Sequence, residues 1–514
     1  MNKRILITGT LIVVLSLLVG TLGSVGAIDP ALEAQIEASI LSGLRWLAGQ
    51  QNLDGSWGDE CQKVATTGFA VLKFETYAYE LGYDDPTDTD YIYHLQVQNG
   101  LDYLDTQDMP HAEGIYFPEC GHEIYNTGIA MMALSASSQP AFVPTVQGTV
   151  DYMSWAQADP DCGVHRGGWR YGADECNSDN SNSGYATLGL GFAQAPAPFG
   201  FGLTVPQVVK DELSIWIDVI QNDVDGDPED GGSMYNPGGG WENILKTGNL
   251  LYEMGLVGND ASTPRVMDAV DYIERHWYDA GVCDVGWRDH TQAMFTMMKG
   301  LESLGIEELD LDGDNVPETV WFDEVAQHLV DTQNLVGSWP SDCWDYGTEP
   351  VLSTAWALLT LEKTVPVFEI PVSVDIHPGS CPNPLNVGRK GVTPVAIAGT
   401  EDFDVTQVDP TTLLLKLAKE DEFGVTPLRW AYEDAAQPFE PYLEKELDRY
   451  FCIEYEEGDG YMDLTLKFKT QEIVALFGGV EDGEPLALYL TGNLLEEFGG
   501  APIVGEDIVW IIQR

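Results

Sequence analysis

The chain has 514 residues, 83 of them acidic and only 24 basic, for a formal net charge of −59. A surface this acidic repels phosphate backbones, which excludes nucleic acid as a partner and reads as a solvated coat. The length exceeds what one small core organises and implies two domains.

Lys3 and Arg4 precede an apolar run over residues 5 to about 22 and the small residues Val25, Gly26 and Ala27. This is the pattern of a secretory signal peptide, residues 1–27, cleaved after Ala27. The alternative is an uncleaved anchor, because the run is long enough to enter a bilayer. Any membrane association would go through this segment, since no later stretch is comparably long and apolar. Eight cysteines, none in a C-x-x-C pair, point to disulfides outside the cell or at its surface rather than to zinc.

Between about Ala31 and Val365 one pattern recurs six times: an amphipathic helix, a Gly- and Trp-rich loop, and a more apolar helix opening on Ser, Thr or Asn. In the first copy Leu32, Ile36, Ile40, Leu44 and Leu47 form one stripe, and the second helix opens on Thr66 and Thr67. The second copy runs over 95–104 and restarts at Asn126 and Thr127. The third enters at Val146, passes Gly167, Gly168, Trp169, Arg170 and Tyr171, and restarts at Ser183. The fourth pairs 205–220 with a helix from Thr247, the fifth 265–277 with one near Thr291, and the sixth 322–332 with one from Ser353. Each restart places a hydroxyl or amide where it caps helix amides. One pair cannot bury its own apolar face, so the copies must stack.

Two Asp-rich stretches interrupt the series, one with Asp223, Asp225 and Asp227, the other with Asp310, Asp312, Asp314 and Glu318. Alternating carboxylates around a glycine turn suit Ca²⁺, although the EF-hand spacing would want a Glu where the second stretch has Trp321. Calcium and solvated turns are the two readings, and no organic cofactor is expected. Residues 366–372 read as a linker. Beyond it, 373–514 carries short β-rich runs at 372–376, 392–398, 413–417, 464–468, 486–490 and 508–512, the pattern of a β-sandwich.

The first and last copies share Q-x3-G-x-W, as Gln51, Gly55, Trp57 and as Gln333, Gly337, Trp339. This resembles the QW motif of the squalene/hopene cyclases, whose fold is shared by protein prenyltransferase β subunits and complement-type thioester domains. The resemblance implies an α/α toroid of six helical hairpins over 31–365, ahead of the C-terminal all-β sandwich domain. It also implies that every first-to-second helix loop emerges at one end of the ring, above a central cavity. That end then gathers Trp57, Tyr116, Trp169, Tyr171, Trp241, Trp287, Trp339 and Trp344 with His111, His122, His165 and His290. Such a mouth suits a glycan or a hydrophobic small molecule. Trp57 and Trp339 read as packing clamps; for Trp169, Tyr171, Trp241 and Trp287 packing and ligand contact both stay open. Adjacency in the ring pairs Cys61 with Cys120, Cys162 with Cys176 and Cys283 with Cys343, leaving Cys381 for Cys452.

Cyclases of that family protonate a polyprene with the central Asp of D-x-D-D at the start of an inner helix. Asp289 occupies the comparable place, but Trp287 and His290 replace its acidic neighbours, and a helix cap is the competing role. Asp174 and Cys176 match the D-x-C of the prenyltransferases without a matching His, and Cys120-Gly121-His122-Glu123 lacks the Gln of a thioester. No G-x-S-x-G, H-E-x-x-H or phosphate loop occurs. Near the C-terminus the text VDIHPGSCPNPLN from Val374 to Asn386, with 391–399 and 403–410, resembles a secreted module of archaeal and bacterial surface proteins. That resemblance implies an accessory or adhesive role, with Asp375, Asp434 and Asp463 as candidates to share a calcium; the Glu-rich insertion over 420–449 departs from its pattern. The reading is of a secreted or cell-surface toroid that binds a glycan or apolar ligand in its mouth. A terpenoid-cyclase-type enzyme using Asp289 and a polysaccharide-acting enzyme are the alternatives.

Overall fold

In the computed structural model, which describes residues 29–513 other than 174, 225, 282–283, 315, 346, 348, 367–368, 401–402, 420–422, 440–441, 444, 446, 448–457 and 496–501, two kinds of helix alternate. They are α1 (Pro30–Ala48), α2 (Lys63–Glu80), α3 (His94–Asp105), α4 (Glu123–Ala136), α5 (Val143–Ala156), α6 (Asn180–Gln194), α7 (Gln207–Ile220), α8 (Ile244–Leu256), α9 (Pro264–Arg275), α10 (Thr291–Ser303), α11 (Trp321–Thr332) and α12 (Val351–Leu361). Odd-numbered helices bury a stripe, as α9 does with Val266, Ala269, Tyr272 and Ile273. Even-numbered ones are buried almost all round, and α8 and α12 bury every residue. A helix with no solvent face must be enclosed by its neighbours.

The enclosure is cyclic. α2 packs on α4, α4 on α6, α6 on α8, α8 on α10, α10 on α12, and α12 on α2 again. The odd-numbered helices lie against this cycle, α3 on α2 and α4, α5 on α4 and α6, α7 and α9 on α8, α1 and α11 on α12. Glycines let the inner backbones touch: a Cβ on Gly128 would sit 2.1 Å from the Tyr185 carbonyl oxygen.

Four glutamines at the ends of outer helices tie each loop to the following outer helix. The Gln51 amide donates to the carbonyls of Gly55 and Gln96, both at 3.0 Å. Gln157 donates to Gly167 and Val209 at 2.8 and 3.0 Å, and Gln221 to Gly231 and Arg265 at 3.1 and 2.8 Å. Gln333 donates to Gly337 and to Ser39 in α1, both at 2.9 Å, joining the last outer helix to the first. Loop tryptophans complete the tie: the indole N–H of Trp57, Trp169 and Trp339 donates to Leu47, Met153 and Leu329 at 2.8, 2.9 and 2.7 Å.

Helices two apart in a six-membered cycle can meet only across its middle. There Phe69 of α2 lies 6.0 Å from Tyr185 of α6, 5.5 Å from Phe295 of α10 and 6.0 Å from Trp356 of α12, all edge-on and all buried. At this level the cavity expected from the sequence is filled by side chains. Charges are buried as well. Lys73 pairs with Glu362, whose carboxylate also accepts from Thr76 Oγ1 at 3.0 Å. Lys299 donates to the Gly184 carbonyl at 3.2 Å, and burial pulls its ammonium down to about 7. Burial pushes the Glu253 carboxyl up to about 8, so it stays protonated at neutrality.

Disulfides join Cys61 to Cys120, across loops of adjacent copies, and Cys162 to Cys176, within one loop, both as expected from the sequence. Loops of these lengths, separations 59 and 14, correspond to about 4 and about 3 kcal/mol of unfolded-state constraint in the chain-entropy account. Cys343 and Cys381 are disulfide-bonded too, while Cys283 and Cys452 lie outside the described residues. None of the described helices is long and apolar enough to cross a membrane; residues 1–27 lie outside the described part.

Two hairpins decorate the helical part, β1 (Met109–His111) with β2 (Gly114–Tyr116), and β3 (Glu308–Leu309) with β4 (Thr319–Val320) around the second Asp-rich stretch. From Ile370 onward the chain is β5 (Ile370–Pro371), β6 (Val374–Ile376), β7 (Asn383–Asn386), β8 (Val392–Ile397), β9 (Val408–Lys416), β10 (Arg429–Glu433), β11 (Asp463–Lys469), β12 (Pro485–Leu494) and β13 (Pro502–Ile512), with the short α13 (Thr470–Leu476). One sheet runs β10-β11-β8-β6 and the other β5-β13-β12-β9, with β7 parallel beside β13. Val374, Ile397, Leu415, Leu466, Leu490 and Val509 from both sheets share one core.

Because Glu253 holds its proton more tightly folded than unfolded, stability is lost as pH climbs from the ordinary value of 4.5 to about 8. Glu253→Gln removes the charge that burial disfavours. In urea titrations it is expected to unfold at a higher midpoint than the parent at pH about 8 and at nearly the parent midpoint at pH about 4.5. A lowered midpoint at the higher pH would mean that the folded carboxyl is ionised and paired.

Candidate binding site at the loop pole

Five of the six inner helices, α2, α4, α6, α8 and α10, begin where the loop of the next copy offers an oxygen. The amides of Lys63 and Val64 donate to the Glu119 carboxylate at 3.2 and 3.0 Å, Ile124 N–H to Tyr171 at 3.1 Å, Asn180 N–H to Tyr235 at 2.9 Å, Ile244 N–H to Val285 at 2.9 Å, and Gln292 N–H to Asp342 at 3.0 Å. These bonds satisfy helix-end donors and hold neighbouring loops together at the N-terminal pole of the inner helices.

The expected aromatic mouth divides into two populations. Trp57, Trp169, Trp287 and Trp339 are fully buried. Trp169 is therefore a packing clamp, and Trp287 is enclosed by Trp277 at 5.1 Å and His328 at 5.6 Å; neither offers a face to a ligand. Trp241, by contrast, is 53% exposed. Tyr235 stands 5.7 Å from it, and the Arg170 guanidinium reaches the Tyr235 hydroxyl at 3.4 Å while lying 4.8 Å over the Tyr171 ring. His122, exposed, packs on Tyr171 at 5.0 Å. A continuous surface strip thus runs from His122 through Tyr171 and Tyr235 to Trp241.

His165 is half-buried against the Ser178 carbonyl at 3.4 Å and is not part of this strip. His290 is buried, its Nε2 3.7 Å from Asp342 and 3.9 Å from the Cys343 sulfur. That sulfur is in a disulfide and has no thiolate to offer a metal. Desolvation lowers the imidazole's basicity, so His290 is a neutral buried group rather than a surface contact. Asp289 also departs from its expected role. Its side chain is 60% exposed and pairs with His328 of α11 at 3.0 Å, on the outer layer and not over the middle of the cycle. A solvated carboxylate in the loop before α10, paired with a histidine of an outer helix, lacks the enclosure that an alkene-protonating acid requires.

Trp241 is held in an unusual way. Its φ is +66°, in a run where Gly238 and Gly240 also have φ of +70° and +64°. A left-handed backbone costs a bulky residue about 1–2 kcal/mol and survives where the surroundings impose it. Beneath the indole, at 4.2 Å from the ring centroid, lies the Lys246 ammonium. Sequence reasoning missed Lys246, although it is the single basic residue between Lys210 and Arg265. Burial brings its pKa down to about 7, with Glu242 acting in the opposite direction.

Of the acidic stretches, the second converges. Carboxylate oxygens of Asp310, Asp312 and Asp314 lie within 4.8 Å of one another. The loop is shaped by amides of Gly313, Asp314 and Val316 donating to these side chains. The same carboxylates hold Glu318 above its ordinary pKa, and Glu274, which accepts from Asp310 N–H at 2.7 Å, is pushed up to about 7 chiefly by burial. In the first stretch Asp227 accepts from Glu229 N–H at 3.0 Å, Asp223 belongs to no such cluster among the described residues, and Asp225 lies outside them. The shared site for Asp375, Asp434 and Asp463 is corrected. Asp463 accepts from the amides of Gly399, Ala435 and Ala436, so its oxygens close a turn, and the three carboxylates do not converge.

No family model matches the sequence, and no curated protein matches it. Among solved structures, a type II terpene cyclase from Scytonema is 14% identical, with 64% of this chain and 98% of that chain covered and a TM-score of 0.42. A glycoside hydrolase family 76 mannosidase from Bacteroides thetaiotaomicron is 11% identical, with 63% and 98% covered and a TM-score of 0.43. A D-mannose isomerase is 10% identical, with 65% and 100% covered and a TM-score of 0.43.

The two tryptophan populations respond differently to truncation. Trp169→Ala is expected to cost about 3–5 kcal/mol in chemical denaturation, and Trp241→Ala less than about 1 kcal/mol, since lost ring contact and relieved backbone strain oppose each other. Similar losses for both would place Trp241 among the clamps.

Proposed function

We propose that this is a secreted or cell-surface protein whose α/α toroid of six helical hairpins, residues 31–365, binds a glycan at its loop pole, with residues 373–514 as an accessory or adhesive β-sandwich module. The observation that carries the reading is Trp241, an exposed indole fixed in a left-handed backbone beside Tyr235. A rigid aromatic face takes the apolar face of a sugar ring at small conformational cost, while Arg170, Tyr171 and His122 supply the polar contacts that fix its orientation. The packed aromatics in the middle of the helical cycle speak against an apolar molecule held there, and the exposed Asp289 speaks against polyprene cyclisation. Disulfides favour an oxidising compartment, in keeping with a signal peptide over residues 1–27.

Glycan-array screening of the purified chain, followed by calorimetry on the best binder, tests this. Trp241→Ala is expected to weaken binding at least about tenfold, or about 1.4 kcal/mol, with an unchanged thermal midpoint. An array without binders, or an unweakened variant, overturns the reading.

The Asp310, Asp312, Asp314 and Glu318 loop is our proposed Ca²⁺ site, supported by the convergence of three carboxylates. Calcium at about 100 times its dissociation constant should stabilise the protein by about 2.7 kcal/mol, reversibly with chelator. Asp312→Ala should abolish the shift. A midpoint indifferent to calcium would leave these residues as a solvated turn.

A further inference from the structure

Lys246 is the third residue of α8, following the cap Asn243, whose side chain accepts the Lys246 amide at 3.0 Å. Three features make a positive charge costly there. The side chain points from the first turn of a helix, where the macrodipole is already positive. The residue is only 3% exposed, so water screens it poorly. Among the described residues its ammonium makes no hydrogen bond or ion pair, and only the charge of Glu242 opposes its burial, in a chain with 83 acidic residues. Glu242, the acidic group that acts on it, gives an oxygen to the Asn222 amide at 3.3 Å instead. What it does face is the indole of Trp241.

A desolvated cation without a counter-ion, beneath an exposed aromatic plate, is half of a binding site. We propose that the ligand supplies the other half: the saccharide bound at this pole carries an anionic substituent, a uronate carboxylate or a sulfate ester, whose oxygens accept from Lys246 Nζ while the sugar face lies on Trp241. This rests on the glycan reading above and names its substrate class. Specificity follows from the energetics, since a neutral sugar covering the same plate would bury the ammonium further without giving it a partner. Glu242 and His290 are the titratable groups that face Lys246. With the free ammonium titrating near neutrality, affinity for an anionic ligand declines as pH rises above about 7, because the ligand binds the protonated form.

The test uses the full chain and calorimetry with oligogalacturonate, a sulfated galacto-oligosaccharide and the neutral galacto-oligosaccharide of equal length. The parent is expected to bind at least one anionic ligand about tenfold more tightly than the neutral one, the two anionic arms distinguishing carboxylate from sulfate. Lys246→Met should erase that preference, Lys246→Arg should keep it, and the preference should shrink between pH about 6 and about 9. Thermal midpoints of both variants near the parent's verify folding. Equal affinity of the parent for charged and neutral saccharides, or a preference unchanged in Lys246→Met, overturns the anionic assignment and leaves glycan binding standing. Failure of the folded parent to bind any of the three or any array glycan overturns the glycan reading itself.

Discussion

A side-chain amide that serves two carbonyls at once is the constraint on which the helical part depends. One N–H of Gln51, Gln157, Gln221 or Gln333 ends its own loop, and the other holds the following outer helix at a fixed offset. The bonds are modest singly, about 1 kcal/mol net each. Their value lies in repetition, since each sets the angle at which the next copy is added. Where glutamine is missing, other groups span the same junction. In the second copy the Gln107 amide donates to its neighbour Thr106, and the loop is held on the following outer helix by β2 against α5, with Tyr116 stacked on Tyr152 at 5.0 Å. In the fifth, Glu324 of α11 accepts from both Trp277 Nε1 and Arg288.

This explains what the sequence discloses and what it hides. Gln51 and Gln333 are visible as a motif because their loops are short, with the accepting glycine four residues on. Gln157 and Gln221 make the same two bonds, but ten residues separate each from its glycine, so a fixed spacing does not find them. The strands tell a similar story. Runs of alternating apolar residues mark β8, β9, β11 and β12, whereas β7, Asn383–Asn386, carries a single leucine beside a proline, and β10, with Trp430 and Tyr432, is exposed throughout on a sheet edge inside the Glu-rich insertion. The Cys61–Cys120 pair is legible because loops of adjacent copies are neighbours, and Cys162–Cys176 because both lie in one loop.

The site was harder to read for a different reason. Trp169 and Trp241 follow similar glycine-rich text, yet one is sealed and the other open. The difference lies in backbone conformation at φ +66° and in what lies beneath the ring, neither of which a residue pattern encodes. Lys246 was overlooked because a lysine opening a helix ordinarily counts as solvated surface. Asp289 was attractive by position along the chain, but the positive φ of +59° at that residue turns its carboxylate toward His328.

The closed order of helix contacts has a bearing on how such a protein changes over time. An open stack of repeats tolerates gain or loss of a unit and shields its two raw ends with polar terminal copies. Here α12 rests on both α2 and α1, so no raw end exists and no dedicated terminal copy is required. Duplication or deletion of a hairpin would break the circuit rather than lengthen it. Diversification is thereby channelled into the loops, whose lengths already differ from copy to copy, and the loop pole is where this architecture has room to diverge.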